Sequence, residues 1–222
     1  MRRRSILLAL ALVLVGAAPR PDDDTEVDTA LVLAFDVSGS VSEDRLELQR
    51  RGAAEALRSA AFIEAVSRGP RHGIAIAVFE WAGYGEQQVI VGWTTVRSAE
   101  TATAIAENLL AAPRLFNGPT AVGEAINFGA ALLDTAPKAE RRVIDVSGDG
   151  RANAGSSTTE ARDAAVAIGI TINGLPILDV EEGLDRWYRT NVQGGPRSFT
   201  MPARTIDDYR ESLLAKILRE IS

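Results

Sequence analysis

The sequence predicts an α/β fold: a doubly wound, mostly parallel sheet with helices on both faces and one antiparallel edge strand. Three observations predict it. Short apolar runs alternate along the chain with longer segments whose apolar residues recur at helical spacing, the pattern of a parallel sheet covered on both faces. Only Gly83, Tyr84, Gly85 and a few neighbours separate the second run from the third. That gap is too short for a helical crossover, so these two strands form an antiparallel hairpin. The chain's 222 residues suit one domain with a full core and fall short of two.

The first segment is read as lying outside the fold. Arg2, Arg3 and Arg4 precede an unbroken apolar run from Ile6 to Val15, and Gly16-Ala17-Ala18 supplies small residues for cleavage. This is the pattern of a secretory signal peptide over residues 1–18, too short in its apolar part to span a bilayer. The Arg3-Arg4 pair also permits twin-arginine export. Residues 19–28 read as an acidic, Pro-led linker and 29–222 as the domain.

Leu31 to Phe35 is a continuous apolar run, as expected of a buried parallel strand. A helix pattern follows from Glu43 to about Val66, with Ser40 and Glu43 placed to form a capping box. Ile74 to Phe79 and Gln88 to Val96 are the hairpin strands. Helices follow near Ala99–Leu110 and Ala121–Leu133. Val143 to Val146 is another buried strand. Ser157 with Glu160 caps a helix running to about Ile168, and Ile170 to Ile177 is the next strand. A short helix near Glu181–Thr190 and a strand at Ser198–Met201 come next. Thr205 with Asp208 caps a last helix whose Ile206, Tyr209, Leu213, Ile217 and Ile221 face the core.

Composition narrows the function. Hydrophobic residues are 46% and charged residues 24%, which argues against disorder and against a multi-span membrane protein. The formal net charge is -6, and loss of the three signal arginines deepens it. No basic stripe remains, so nucleic-acid binding is not expected. The chain has no cysteine, which excludes disulfides, thiol catalysis, cysteine-based metal sites and a lipidation cysteine. Export without such an anchor implies a periplasmic or secreted protein with no stable membrane insertion after signal cleavage.

Oxygen-bearing residues gather where strands end. Asp36-Val37-Ser38-Gly39-Ser40 begins at the end of the first strand. Alternate residues point the same way, so one carboxylate and two hydroxyls converge there. Ser147-Gly148-Asp149-Gly150 follows the fourth strand, and Asn117-Gly118-Pro119-Thr120 is a turn presenting a hydroxyl. Oxygen-only donors suit hard cations: Mg²⁺, Mn²⁺ or Ca²⁺. Taken alone, each piece also reads as a turn or a helix cap.

Together, Asp36-x-Ser38-x-Ser40, the Gly-Pro-Thr120 loop and the apolar strand ending in Asp149-Gly150 resemble the metal-ion-dependent adhesion site of von Willebrand factor A-type (VWA) and integrin I domains. The Ser-Gly-Asp-Gly-Arg-Ala-Asn segment and Glu80-Trp81 resemble exported bacterial VWA-like proteins of unknown function. By that resemblance Asp36, Ser38, Ser40, Thr120 and Asp149 hold the metal, some through water, and a partner's Glu or Asp completes the shell. Many VWA domains have Thr-Asp-Gly where this chain has Gly148-Asp149-Gly150, and Pro119 stands where Gly or Ser is commoner. Neither departure removes a ligand.

Other features are weighed against this site. His72 is the sole histidine and precedes the second strand, at the end opposite the predicted site, which leaves no Ser-His-Asp chemistry. Gly148-x-Gly150 lacks the last glycine of a dinucleotide fingerprint, since Asn153 stands there. Glu80, Trp81 and Tyr84 follow the second strand and are candidates for a partner-contacting rim, or for hairpin packing. Asn153 is a candidate brace for the Asp149 loop. The expected function is a metal-dependent protein-binding module for a partner carboxylate, not an enzyme. The alternatives are a metal-stapled structural or assembly subunit and a metal-assisted hydrolase. The oligomeric state is left open.

Overall fold

The computed structural model describes residues 26–222. The signal-peptide reading and most of the linker reading fall outside them. Five strands form one sheet in the order β3-β2-β1-β4-β5. They are β1 Val27–Asp36, β2 Ile74–Trp81, β3 Gln87–Val96, β4 Ala139–Gly148 and β5 Ile170–Pro176. β1 lies at the centre, parallel to β2 and β4, and β4 is parallel to β5. β3 alone runs antiparallel, on the outer side of β2. This is the expected doubly wound arrangement with one antiparallel edge strand. β1 starts at Val27, two residues inside the span read as linker.

Every residue of β1 and β2 is buried, because helices cover both faces. Alternation then divides the core in two. Leu31, Leu33 and Phe35 meet Leu57, Tyr209 and Leu213 on one face. Ala30, Val32 and Ala34 meet Val122, Ile126 and Tyr188 on the other. Side chains of successive strand residues point to opposite faces, so a continuous apolar run serves both.

The helices are α1 Glu43–Arg58, α2 Ala60–Arg68, α3 Ala99–Ala111, α4 Val122–Leu133, α5 Thr158–Ala167, α6 Leu184–Asn191 and α7 Tyr209–Glu220. The single helix expected over 43–66 is two. Ser59 sits between them with extended backbone, φ -67 and ψ 145. Its hydroxyl donates to the Ala56 carbonyl at 2.8 Å, and its oxygen also receives the Phe62 N–H at 3.2 Å. One serine therefore ends α1 and caps α2. The cap of α1 is Ser42, which accepts from the Arg45 N–H, and not Ser40. Ser157 and Ser98 cap α5 and α3 by accepting from Glu160 and Thr101.

The strand expected at Ser198–Met201 is absent as a strand. The segment meets β5 only in isolated bridges, Gly174 to Thr200 and Ile177 to Ala203. The Gly174 N–H donates to Phe199 O at 3.1 Å, and the Met201 N–H donates to Gly174 O at 2.9 Å. The next ladder donor on β5 falls at Pro176, which has no N–H, so the pairing breaks there.

Candidate metal centre

The site is built where β1 and β4 end side by side, Phe35 paired with Ser147. Asp36 is the last residue of β1 and Asp149 the first after β4. Open sheets of this kind bind ligands beyond the carboxyl ends of their strands. The Thr120 loop approaches from the start of α4.

The five side chains singled out in the sequence come together. Thr120 Oγ1 donates to Ser38 Oγ at 3.2 Å, and Ser38 Oγ lies 3.2 Å from Ser40 Oγ. Ser40 Oγ donates to Asp149 Oδ1 at 2.6 Å. Asp36 Oδ1 accepts the Ser38 N–H at 2.8 Å. Asp36, Ser38, Thr120 and Asp149 are buried, while Ser40 is exposed and opens the cluster to solvent.

Backbone bonds stitch the three loops. Gly39 N–H donates to Gly118 O at 2.9 Å, and Ala121 N–H to Ala82 O at 3.0 Å. Asn153 pairs with Thr120 twice: its N–H donates to Thr120 O, and its Oδ1 accepts the Thr120 N–H, both at 2.9 Å. Asn153 thus braces the Asp149 loop against the Thr120 loop. Gly148 is required by crowding, since a Cβ there would lie 2.6 Å from the Tyr188 hydroxyl and 2.9 Å from Asp36 Oδ2.

The electrostatics are those of an anionic cradle. Asp36 Oδ2 and Asp149 Oδ2 are buried and take no hydrogen bond. Burial first, and the charge of Asp149 second, push the Asp36 carboxyl up to about 7. An unbonded buried carboxylate oxygen is costly, and a cation relieves the cost. Two carboxylates and three hydroxyls fit a hard divalent ion by donor type. Among the described residues no group of three His, Cys, Asp or Glu side chains is placed to hold a metal, so the hydroxyls are essential to any such site.

Three residues that sequence reasoning missed shape this site. Arg45 on α1 places Nε 3.5 Å from Asp149 Oδ2. Its two terminal nitrogens donate to Asp179 at 3.1 and 2.7 Å. Arg114 donates through Nη2 to Val37 O at 2.9 Å and Ser38 O at 3.1 Å, pinning the Asp36–Ser40 loop from below. The Tyr188 hydroxyl is buried without a hydrogen-bond partner. Burial, then the charges of Asp36 and Asp149, hold it protonated far above the usual range. An arginine three residues beyond a serine cap carries no local signal that it reaches back across a sheet end.

The proposed rim is corrected in two of its three members. β2 runs two residues past Phe79, so Glu80 and Trp81 lie inside the sheet and are buried. Glu80 pairs with Arg50 Nε at 2.7 Å, and Trp81 packs in the core. Their burial favours the packing alternative over a rim role. Tyr84 is 81% exposed on the hairpin tip. That tip packs on the Thr120 loop, for a Cβ on Gly83 would lie 2.9 Å from Pro119 Cδ. His72 is exposed at the start of β2, and its Nδ1 lies 2.7 Å from Ser67 O.

Sheet order, flanking helices and strand-end loops define a von Willebrand factor A-type fold. Solved structures agree. The pilus adhesin SpaC from Lactobacillus rhamnosus GG matches at TM-score 0.64 and 16% identity, over 88% of this chain and 31% of that one. The von Willebrand factor type A protein from Catenulispora acidiphila matches at TM-score 0.62 and 18% identity, over 88% and 42%. Proximal thread matrix protein 1 from the mussel byssus, with a zinc-occupied MIDAS motif, matches at TM-score 0.59 and 14% identity, over 88% and 48%. The chain therefore spans between about a third and a half of the length of these proteins. No curated protein matches it in sequence. A family model described as "Protein of unknown function (DUF1194)" matches residues 26–222. The chain belongs to that family.

Proposed function

We propose that this protein is a metal-dependent protein-binding module. Asp36, Ser38, Ser40, Thr120 and Asp149 hold a divalent cation, Mg²⁺ or else Mn²⁺ or Ca²⁺. A partner's Asp or Glu then reaches that ion from the solvent side. The observation that carries this reading is the convergence of five oxygen-bearing side chains around two buried carboxylate oxygens that take no hydrogen bond. Two carboxylates bring a divalent ion near neutrality, and neutral hydroxyls leave it attractive to one more carboxylate. The zinc-occupied MIDAS motif of the byssus protein shows that a relative in fold holds a divalent ion.

Tyr84 and Pro119 form the exposed margin of the site, and an aromatic there supplies an anchor beside the carboxylate. Binding is favoured over catalysis because His72 stands at the other end of β2 and the two carboxylates are committed to the ion. We assign the protein to the periplasm or the exterior, with cleavage after residue 18. No helix among the described residues is long and apolar enough to cross a membrane.

The test is capture of envelope proteins on the immobilised protein with Mg²⁺ and again with chelator, beside calorimetric titration of the metal alone. The reading expects saturable metal binding, a captured protein released by chelator, and loss of both in Asp149→Ala. Metal binding without any chelator-sensitive partner would leave a metal-stapled structural subunit. No metal binding to folded protein would overturn the site. Intact mass of exported protein checks the cleavage, and retention of Arg2–Arg4 would refute it.

A further inference from the structure

A cavity lies at the opposite end of the sheet, where β4 and β5 begin. It encloses about 490 Å³. From Arg142 to Asp149 the strand advances roughly 23 Å, so this cavity is remote from the metal centre. Four arginines line it: Arg141, Arg142, Arg197 and Arg219. Arg142 is held by Asp134 at 2.7 Å, and the lining carboxylate Glu140 is held by Arg71 at 2.9 Å. The other three guanidiniums have no carboxylate within ion-pair distance among the described residues. Arg141 donates only to the Thr29 hydroxyl, at 3.1 Å, and Arg219 stacks on the Phe199 ring at 3.9 Å.

The cavity has a built floor. Asn173 and Glu220 line it, each only 2% exposed. Asn173 Nδ2 donates to Glu220 Oε1 at 2.8 Å, and its Oδ1 accepts the Phe199 N–H at 2.9 Å. Behind them Lys216 Nζ lies 2.6 Å from both Glu220 Oε1 and Asp145 Oδ2, which answers the Glu220 charge from within. Glu220 Oε2 is buried and takes no hydrogen bond. Arg197 sits at φ 58, a left-handed backbone that an arginine rarely adopts. Strain of that kind clusters at ligand clamps and other functional sites.

We propose that this cavity binds a small oxyanion, the phosphate or carboxylate group of a metabolite-sized ligand, held by Arg141, Arg197 and Arg219. Burial first and the Arg197 charge second lower the Arg141 pKa, against the opposing charges of Glu140, Asp28 and Glu220. Guanidinium forks match both anions in a bidentate manner. The volume lies within the range of small-molecule sites.

The test is calorimetric and NMR titration of the metal-free protein with inorganic phosphate and with succinate, against chloride at matched ionic strength. The proposal expects saturable binding of at least one, with amide shifts at Thr171, Arg197 and Ser198 and none at Asp36 or Ser38. Phosphate alone or succinate alone identifies the group recognised. Arg197→Gly relieves the backbone and removes one guanidinium. Its thermal midpoint should stay level or rise while anion affinity falls at least tenfold. Arg141→Gln should lose affinity likewise, and Asp36→Asn should bind the anion as the wild type does. No saturable response at tens of millimolar, a response equal to that of chloride, or unchanged affinity in both arginine variants would overturn the proposal.

Discussion

Replacing Asp36 with Asn separates the metal centre's need for charge from the fold's tolerance of it. Asp36 is fully buried, and its carboxyl is pushed from 3.8 up to about 7 by burial and Asp149. The folded value lies above the unfolded one, so ionised Asp36 destabilises the metal-free fold. That penalty is absent below about pH 4 and grows as pH rises toward 7. At ~1.4 kcal/mol per unit, the upper bound at neutral pH is about 4 kcal/mol, and relaxation around a buried charge brings this to ~2 kcal/mol. Asn keeps the carbonyl that accepts the Ser38 N–H at 2.8 Å. For a domain of this size ~2 kcal/mol raises the thermal midpoint by roughly 6 °C. With metal at a hundredfold excess over Kd, the wild type gains about 2.7 kcal/mol, and the variant, short of one full charge, gains little or nothing. Scanning calorimetry in chelator and in millimolar Mg²⁺ should therefore find the variant hotter than wild type without metal and unresponsive with it. A variant less stable in chelator, yet shifted by Mg²⁺ as the wild type is, would refute the reasoning.

Ser40→Ala and Thr120→Val each remove one neutral donor and should weaken Mg²⁺ binding by about tenfold, less than Asp149→Asn does; titration calorimetry ranks the three. Arg45→Gln removes a cation 3.5 Å from Asp149 Oδ2, so Mg²⁺ affinity should rise by about threefold to tenfold, and weaker binding would instead make Arg45 a positioner of Asp149. Lys216→Met leaves Asp145 and Glu220 buried without their cation and should cost about 3–5 kcal/mol at neutral pH. Both carboxyls already lie above their ordinary values, chiefly through burial, Glu220 at about 7. Their protonation should return part of that loss as pH falls from 7 toward 5, and urea midpoints that fall equally at both pH values would contradict this.

The strands were legible through short-range periodicity, and the cluster of Asp36, Ser38, Ser40, Thr120 and Asp149 through its resemblance to the VWA adhesion site. A buried parallel strand is a continuous apolar run, and Asp36-x-Ser38-x-Ser40 works through the two-residue alternation of an extended chain. What escaped depends on partners distant in sequence. The cap expected at Ser40 belongs to its neighbour two residues on. The structure gives the cap to Ser42, because Ser40 Oγ is drawn to Asp149, 109 positions along. Glu80 looked like a rim residue because a charge usually ends a buried strand. Here Arg50 on α1 supplies its counterion, and the strand continues to Trp81. Lys216 and Glu220 drew no notice in the sequence, yet Lys216 pairs with both Glu220 and Asp145 of β4 in the interior. Proline chemistry at Pro176 was readable, but its effect on the Ser198–Met201 pairing needed the register.

The pinned Asp36–Ser40 loop bears on kinetics. Arg114 holds the Val37 and Ser38 carbonyls from beneath, and the hydroxyls of Thr120, Ser38 and Ser40 already form a chain that ends on Asp149. On the metal reading, an arriving ion asks the protein only to rotate hydroxyl hydrogens, a motion of picoseconds to nanoseconds. The slow event then belongs to the ion, which must release water from its own hydration shell. Mg²⁺ dehydrates reluctantly, so stopped-flow association should be slower for Mg²⁺ than for Ca²⁺ at equal concentration, whichever of the two binds more tightly at equilibrium.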